Sequence, residues 1–197
     1  MKNSLDVTYN KSTGQYRNTA TGRFVSPRVI REAVNALVED TRQHLRALSQ
    51  QYMDGKLDAG AWQEAVKQRL RASHTLAAGV AMGGKANMTP RDWGRVGALT
   101  KEQYKYLSRF AEELAAGKRM NFGRIDLYAR AVRSTYLNTK EFRYDARLKG
   151  RWVLHSRESC AGCLAQAERG VQFVSDFPAI GSHECLHNCL CEIVVEK

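Results

Sequence analysis

The five cysteines of this 197-residue chain all lie beyond residue 159, and their spacing is the strongest chemical signal in the sequence. They read Cys160-x2-Cys163, then 21 intervening residues, then Cys185-x3-Cys189-x-Cys191. A C-x2-C pair in a tight turn can direct two sulfurs at one metal ion, and a second pair from a strand end completes a tetrahedron. The spacing therefore predicts a thiolate metal site. Zn2+ is the default for such a redox-silent site, although an iron–sulfur cluster uses the same ligands.

A tetrahedral site needs four ligands, so the chain has one thiol more than the site requires. Cys160, Cys163 and Cys185 are the firmest ligands. Cys189 and Cys191 both fit as the fourth, because positions two apart on a strand point the same way. Reserve ligands are His155, His183 and His187. Disulfides are the alternative for the whole group, but the odd cysteine count and the absence of a secretory signal argue against them.

The cysteines belong to a C-terminal module, residues 150–197, whose residue pattern is β-like, whereas that of the preceding chain is helical. The segments "RWVLH", "VQFV" and "CEIVVE" are short and β-like, with Pro178 and Gly181 in a loop between them. So small a module seldom folds on its apolar core alone, and a bound metal would supply the missing stability.

A helical body is predicted over residues 26–149. Ser26 is a good N-cap with Pro27 at the first helical position, and an apolar stripe of near-heptad spacing continues until Gly55. A second helix is expected from about Asp58 to Val80. Because so few residues join them, these two helices should form an antiparallel hairpin.

Two further helices are predicted in the second half of the body. Thr89 marks one helix start, with proline in the next position and an acid three residues on; "TKEQ" at Thr100 repeats the capping box, and the helix that follows it should end at Gly117. A last helix should run from about Gly123 to Phe142, with an apolar face and a basic one. With a flexible arm over residues 1–25, the fold class is mainly α: long antiparallel helices and a small β-containing, zinc-knuckle-like module.

Charge is distributed unevenly along the chain. The net charge of +11 divides into +15 over residues 1–157 and −4 over residues 158–197. A basic body favours polyanions, whether nucleic acid, an anionic membrane surface or an acidic protein, although the same charges can simply solubilise helices. We expect weak binding of double-stranded DNA without sequence preference. The residues assigned to DNA or partner binding are Arg17, Arg23, Arg28, Arg31, Arg124, Arg130 and Arg133. No apolar run is long enough for a membrane anchor.

No set of residues with catalytic order is visible, and we predict that the protein is not an enzyme. The surroundings of Cys160 and Cys163 do not read as the βαβ unit of a thioredoxin-like site. His187-Asn188 beside cysteines is a fragment of the pattern of a zinc-bearing HNH nuclease. The alternative function is therefore a zinc-bearing DNA-binding protein or a degenerate HNH-type nuclease.

The tail also resembles a known family. "LHSRESCAGCLAQAERG" and "FPAIGSHECLHNCLCEI" are similar to the C-terminal signature of bacteriophage minor head proteins, the Mu F-like head morphogenesis family. There a Cys-x-x-Cys followed by Leu and a Gly leads through a Pro/Gly loop to a closing Cys-x-Cys strand. Leu190 replaces the usual basic residue, and Cys185 stands where many members have a His, which leaves the fourth ligand open.

The resemblance implies a structural virion component in few copies, acting near the portal in head assembly or DNA ejection. Its expected partners are phage portal and capsid proteins and packaged DNA, in an oligomeric assembly within the virion. The expected locations are the virion and, during assembly, the host cytoplasm. Some relatives carry an ADP-ribosyltransferase domain, for which this chain is too short.

Overall fold

A computed structural model describes residues 6–10, 15–142, 148–186 and 189–196. Three strands, Val7–Asn10 (β1), Gln15–Asn18 (β2) and Phe24–Val25 (β3), precede four long helices. The helices are Pro27–Met53 (α1), Ala59–Met82 (α2), Pro90–Ala115 (α3) and Phe122–Phe142 (α4). Lys149–Val153 (β4), Ala161–Glu168 (α5), Val171–Phe173 (β5) and Glu192–Val195 (β6) follow. The predicted mainly α class, with a small β-containing module at the C-terminus, is confirmed.

Helices α1 and α2 form the predicted antiparallel hairpin. The Ser26 hydroxyl accepts from the backbone N–H of Val29, and Asp58 caps α2 in the same way. Two buried hydrogen bonds fix the pairing: Thr41 Oγ1 donates to Ser73 Oγ at 2.8 Å, and Trp62 Nε1 donates to Ser49 Oγ at 3.2 Å. Since residue numbers rise along one helix as they fall along the other, the two helices run in opposite directions.

Helix α3 is continuous, so the prediction of a helix start at Thr100 is wrong. Thr100 is buried, and its hydroxyl donates to the carbonyl of Val96 one turn earlier at 2.7 Å. That bond satisfies the hydroxyl inside the helix, and a cap is not needed. The earlier box is confirmed, because Thr89 and Asp92 exchange side-chain and backbone hydrogen bonds at the start of α3.

Helix α4 lies against both α1 and α2. Ile125, Ala129 and Val132 have no exposed surface, which confirms the predicted apolar face. Arg46 of α1 holds the Asp126 carboxylate with two hydrogen bonds of 2.8 and 2.6 Å. Apolar burial on this scale stabilises a helix far more than its intrinsic propensity does.

Strands β1, β2 and β3 form a small antiparallel sheet, which is the conformation that the structure gives to the described part of residues 1–25. Tyr16 is buried and its hydroxyl donates to the carbonyl of Ala81 at 3.1 Å. Gly83, at the end of α2, has a φ of +71°, and a Cβ there would overlap the backbone of Tyr9. The sheet therefore rests on the C-terminal end of α2.

The C-terminal module contains a second antiparallel sheet, in the order β5-β4-β6. Helix α5 was not predicted, because it has only two turns and the C-x2-C spacing at its start indicates a tight turn. One apolar core joins both sheets to the helices, and it includes Val7, Ile30, Val132, Trp152 and Ile193. The module thus packs directly on the helical body.

Candidate metal centre

Three separate segments bring the five cysteines together. Cys160 is the N-cap of α5, and Cys163 lies in the first turn of that helix. Cys185 lies in the loop after β5, and Cys189 and Cys191 immediately precede β6. The predicted convergence of the C-x2-C pair with the later cysteines is therefore present in the fold.

Cys163 is the centre of the cluster. Its Sγ lies 3.6 Å from Sγ of Cys185 and 3.8 Å from Sγ of Cys189. Four thiolates at about 2.3 Å from a zinc ion are separated by about 3.8 Å along each edge of the tetrahedron. These two sulfur separations therefore match the edges of a zinc–thiolate tetrahedron.

The five sulfurs form two overlapping trios that share Cys163. Sγ atoms within the trio Cys160, Cys163 and Cys185 lie within 4.8 Å of one another, and so do those of Cys163, Cys189 and Cys191. All five cysteines are free thiols, so the structure contains none of the disulfides that were the alternative to a metal site. The cluster could hold a metal ion, and every predicted cysteine ligand belongs to it.

The cluster is largely withdrawn from water. Cys163, Cys189 and Cys191 are buried, whereas Cys160 and Cys185 are partly exposed. Burial, followed by the neighbouring thiols, raises the pKa of Cys163 far above its usual value and that of Cys185 to about 12. Several buried thiolates repel one another, and a bound divalent cation removes that penalty by neutralising them.

Cys160 differs electrostatically from the other thiols. Burial opposes ionisation of Cys160, but backbone N–H groups of Cys163 and Cys185 donate to its sulfur and lower its pKa. Such hydrogen bonds favour the thiolate, which is the form that binds metal. The thiolate of Cys160, at the partly exposed edge of the cluster, is therefore stabilised in the form that binds metal.

The histidines considered as reserve ligands have other environments. His155 Nε2 lies 2.9 Å from a carboxylate oxygen of Glu192. His183 packs against the Trp152 ring and over Gly162, where a Cβ would collide with its imidazole. Neither histidine belongs to the sulfur groups. His187 and Asn188, on which the nuclease alternative depends, lie outside the described residues.

The seven arginines assigned to DNA or partner binding differ in exposure and in the groups that they contact. Arg124 pairs with Glu113 at 2.9 Å and lies over the Phe110 ring, so it is used within the helical body. Arg28 pairs with Glu32 on the exposed face of α1. Exposed members of the set also include Arg17, Arg23 and Arg130.

Arg31 and Arg133 are brought together, although they lie on different helices. Both line a cleft between α1, α4 and the C-terminal module. The cleft also contains Glu192, whose side chain is only 9% exposed and accepts hydrogen bonds from Arg31 and Lys140. Burial opposes the charge of Glu192, but Lys140 and His155 hold its pKa below the usual value. Glu192 is not among the predicted site residues, because an acid in "CEIVVE" has the pattern of a solvent-facing strand residue.

Comparison of the chain with protein-family models, with curated protein sequences and with solved structures found no match. Over the residues that the structure describes, no helix has the length and apolar character needed to cross a lipid bilayer. The structure itself shows a mainly α protein whose clustered cysteines could hold a metal ion.

Proposed function

We propose that the protein is a structural minor head protein of a tailed bacteriophage, active in head morphogenesis near the portal, with one structural Zn2+ in its C-terminal module. The observation that carries the proposal is the convergence of all five cysteines on Cys163. These cysteines are the residues on which the resemblance to minor head proteins rests. The proximity of the five sulfurs supports the interpretation that the cysteines of this signature bind one metal ion.

The proposed zinc ligands are Cys160, Cys163, Cys185 and Cys189. Cys189 is preferred over Cys191 because its sulfur is 3.8 Å from that of Cys163, the length of a tetrahedral edge. A zinc ion with four thiolate ligands has no open position for substrate, so it serves folding rather than chemistry. Zinc would join the start of α5 to the loop before β6.

The helical body is the proposed contact surface for packaged DNA or for an acidic portal surface. Support comes from the net charge of +15 over residues 1–157 and from the exposure of Arg17, Arg23 and Arg130. Arg124 contributes less than expected from the sequence, because Glu113 already neutralises it. Contacts of lysine and arginine with phosphates release counterions, so DNA binding should weaken steeply with salt.

Mass spectrometry of purified virions tests the assignment to a phage head. The chain should copurify with virions of the phage that encodes it and should remain after tail removal, in a small and constant ratio to the portal protein. Capture of the portal by the full-length chain provides a second measurement. Absence from purified virions, together with failure to bind the portal, would exclude the proposal.

A nuclease assay distinguishes the proposed structural role from the alternative, an HNH-type nuclease. Linear duplex DNA incubated with the full-length protein and Mg2+ or Zn2+ should stay intact under this proposal. Metal-dependent cleavage that disappears in His187→Ala would establish the HNH-type function instead.

A further inference from the structure

The cleft between the helical body and the C-terminal module has an excess of positive charge. Arg31 comes from α1, Lys140 from α4 and His155 from the segment after β4, and all three contact the carboxylate of Glu192. The separations are 3.3, 3.0 and 2.9 Å. The single carboxylate of Glu192 therefore faces two cationic side chains, Arg31 and Lys140, in addition to His155.

Arg133 adds a further cation to the same cleft. Its Nη1 donates to Oδ1 of Asn35 at 2.7 Å. In the described part of the chain it forms no ion pair; burial lowers its pKa, and the charge of Glu192 in the same cleft opposes that shift. A guanidinium has five N–H donors, and one of those of Arg133 goes to Asn35. Glu192 already accepts from Arg31 and Lys140, so a second anion in the cleft would balance the positive charge that Glu192 alone does not neutralise.

The size of the cleft limits what can enter. Its volume is about 10 Å³, and its lining includes Arg31, Asn35, Arg133, Tyr136 and His155. This is roughly the space needed by one water molecule. One oxygen of a larger anion therefore fits inside, while the rest of that anion lies at the mouth.

We propose that this cleft is an oxyanion site that takes one phosphate oxygen, with Arg31 and Arg133 as its donors. Guanidinium groups bind phosphate oxygens with short, charge-assisted hydrogen bonds. The phosphate can belong to a DNA backbone or to free inorganic phosphate, and both offer the same oxygen. Because the donors lie on α1 and α4 and the cleft is closed by β6, the bound anion would hold the module against the helical body.

Calorimetric titration of the full-length protein with inorganic phosphate, at constant ionic strength, tests the site. Wild type should bind phosphate, and Arg133→Gln should weaken that binding about tenfold or more, since a charge-assisted hydrogen bond is lost. Arg31→Gln, at a more exposed position, should act in the same direction. The matched control is Arg109→Gln, which removes the same charge from the exposed face of α3 and should leave phosphate binding unchanged.

Circular dichroism and metal content show whether each variant is folded. Equal phosphate affinity for wild type and the folded Arg133→Gln and Arg31→Gln variants would overturn the inference. An equal loss in the Arg109→Gln control would also overturn it, because net charge alone would then explain the binding.

A duplex DNA titration identifies the source of the phosphate. If Arg133→Gln weakens DNA binding more than Arg109→Gln does, and inorganic phosphate competes with DNA, the cleft takes a backbone phosphate. If only inorganic phosphate depends on Arg133, the oxyanion site is supported as a small-anion site. The DNA contact expected under the proposed function would then lie elsewhere on the helical body. The oxyanion site and the proposed function can therefore be rejected independently of each other.

Discussion

Sγ of Cys163 lies 3.6 Å from Sγ of Cys185, although 21 residues separate them along the chain. The first thiol belongs to helix α5 and the second to the loop that follows β5. Their proximity requires the loop to fold back over the start of α5. The cysteine cluster is thus the point at which distant parts of the C-terminal module meet.

Replacement of Cys163 should release this module. Cys163→Ser removes the sulfur common to both trios, so metal binding and the packing of the loop on α5 should be lost together. Limited trypsin digestion should then cut rapidly after Arg157 and Arg169, while the helical body remains resistant. Tryptic protection equal to that of wild type, in a metal-free Cys163→Ser protein, would show that the cluster does not hold the module.

Alanine substitution distinguishes the two candidates for the fourth ligand. Cys189→Ala should lose stoichiometric metal, because the Cys189 sulfur is at tetrahedral distance from that of Cys163. The matched variant is Cys191→Ala, which deletes a thiol that is equally buried and should retain the metal. Elemental analysis of the two proteins decides the assignment. The opposite pattern would make Cys191 the ligand.

Gly83→Ala should be far more destabilising than Gly55→Ala. The two glycines have nearly identical φ angles of +71° and +70° and both follow a helix, but only at Gly83 would a Cβ meet neighbouring atoms, those of Tyr9. Backbone strain alone should cost about 1 kcal/mol at each position. The overlap at Gly83 should add roughly 2 kcal/mol or more. Urea unfolding measures both, and equal losses would mean that β1 does not pack on the end of α2.

The ion pair of Arg46 and Asp126 should make stability pH-dependent in acid. Hydrogen bonds from Arg46 hold the pKa of Asp126 below its usual value. A lowered folded-state pKa stabilises the protein above the unfolded-state pKa, about 3.9, and this contribution is lost as the pH falls through the folded-state value.

Urea unfolding of wild type and Asp126→Asn at two pH values tests the effect. Wild type should be more stable by about 1 kcal/mol at pH 7, a modest value because Arg46 is partly exposed. The difference should shrink on acidification to about pH 3. A difference that is constant with pH would show that the pair does not lower the pKa of Asp126.

Local signals in the sequence were sufficient for the long helices and for the cysteine cluster. The Ser26-Pro27 and Thr89-Pro90 starts and the apolar stripes act within one or two turns, so they can be read without knowledge of the fold. The spacing of the cysteines predicted their convergence for a similar reason, because it reflects the chemistry of one site.

The features that the sequence did not predict depend on contacts formed in the folded protein. Thr100 has the sequence of a cap, but Val96 offers it a carbonyl within a continuous helix. The burial of Glu192 is compensated by Arg31 of α1 and Lys140 of α4, which contact its carboxylate. Arg124 was predicted to bind DNA, but the carboxylate of Glu113 lies beside its guanidinium. These two cationic partners of Glu192 are at least 52 positions away from it, and Arg124 pairs with a residue of another helix, so short-range patterns contain neither pairing.

The decisive test of the zinc site is metal analysis of the full-length protein, purified under reducing conditions without added metal. We predict about one zinc per chain, with the ligand thiols protected from titration until the metal is chelated or the protein is unfolded. A folded protein with no stoichiometric zinc or iron, and with its cysteines freely titratable in the native state, would contradict it.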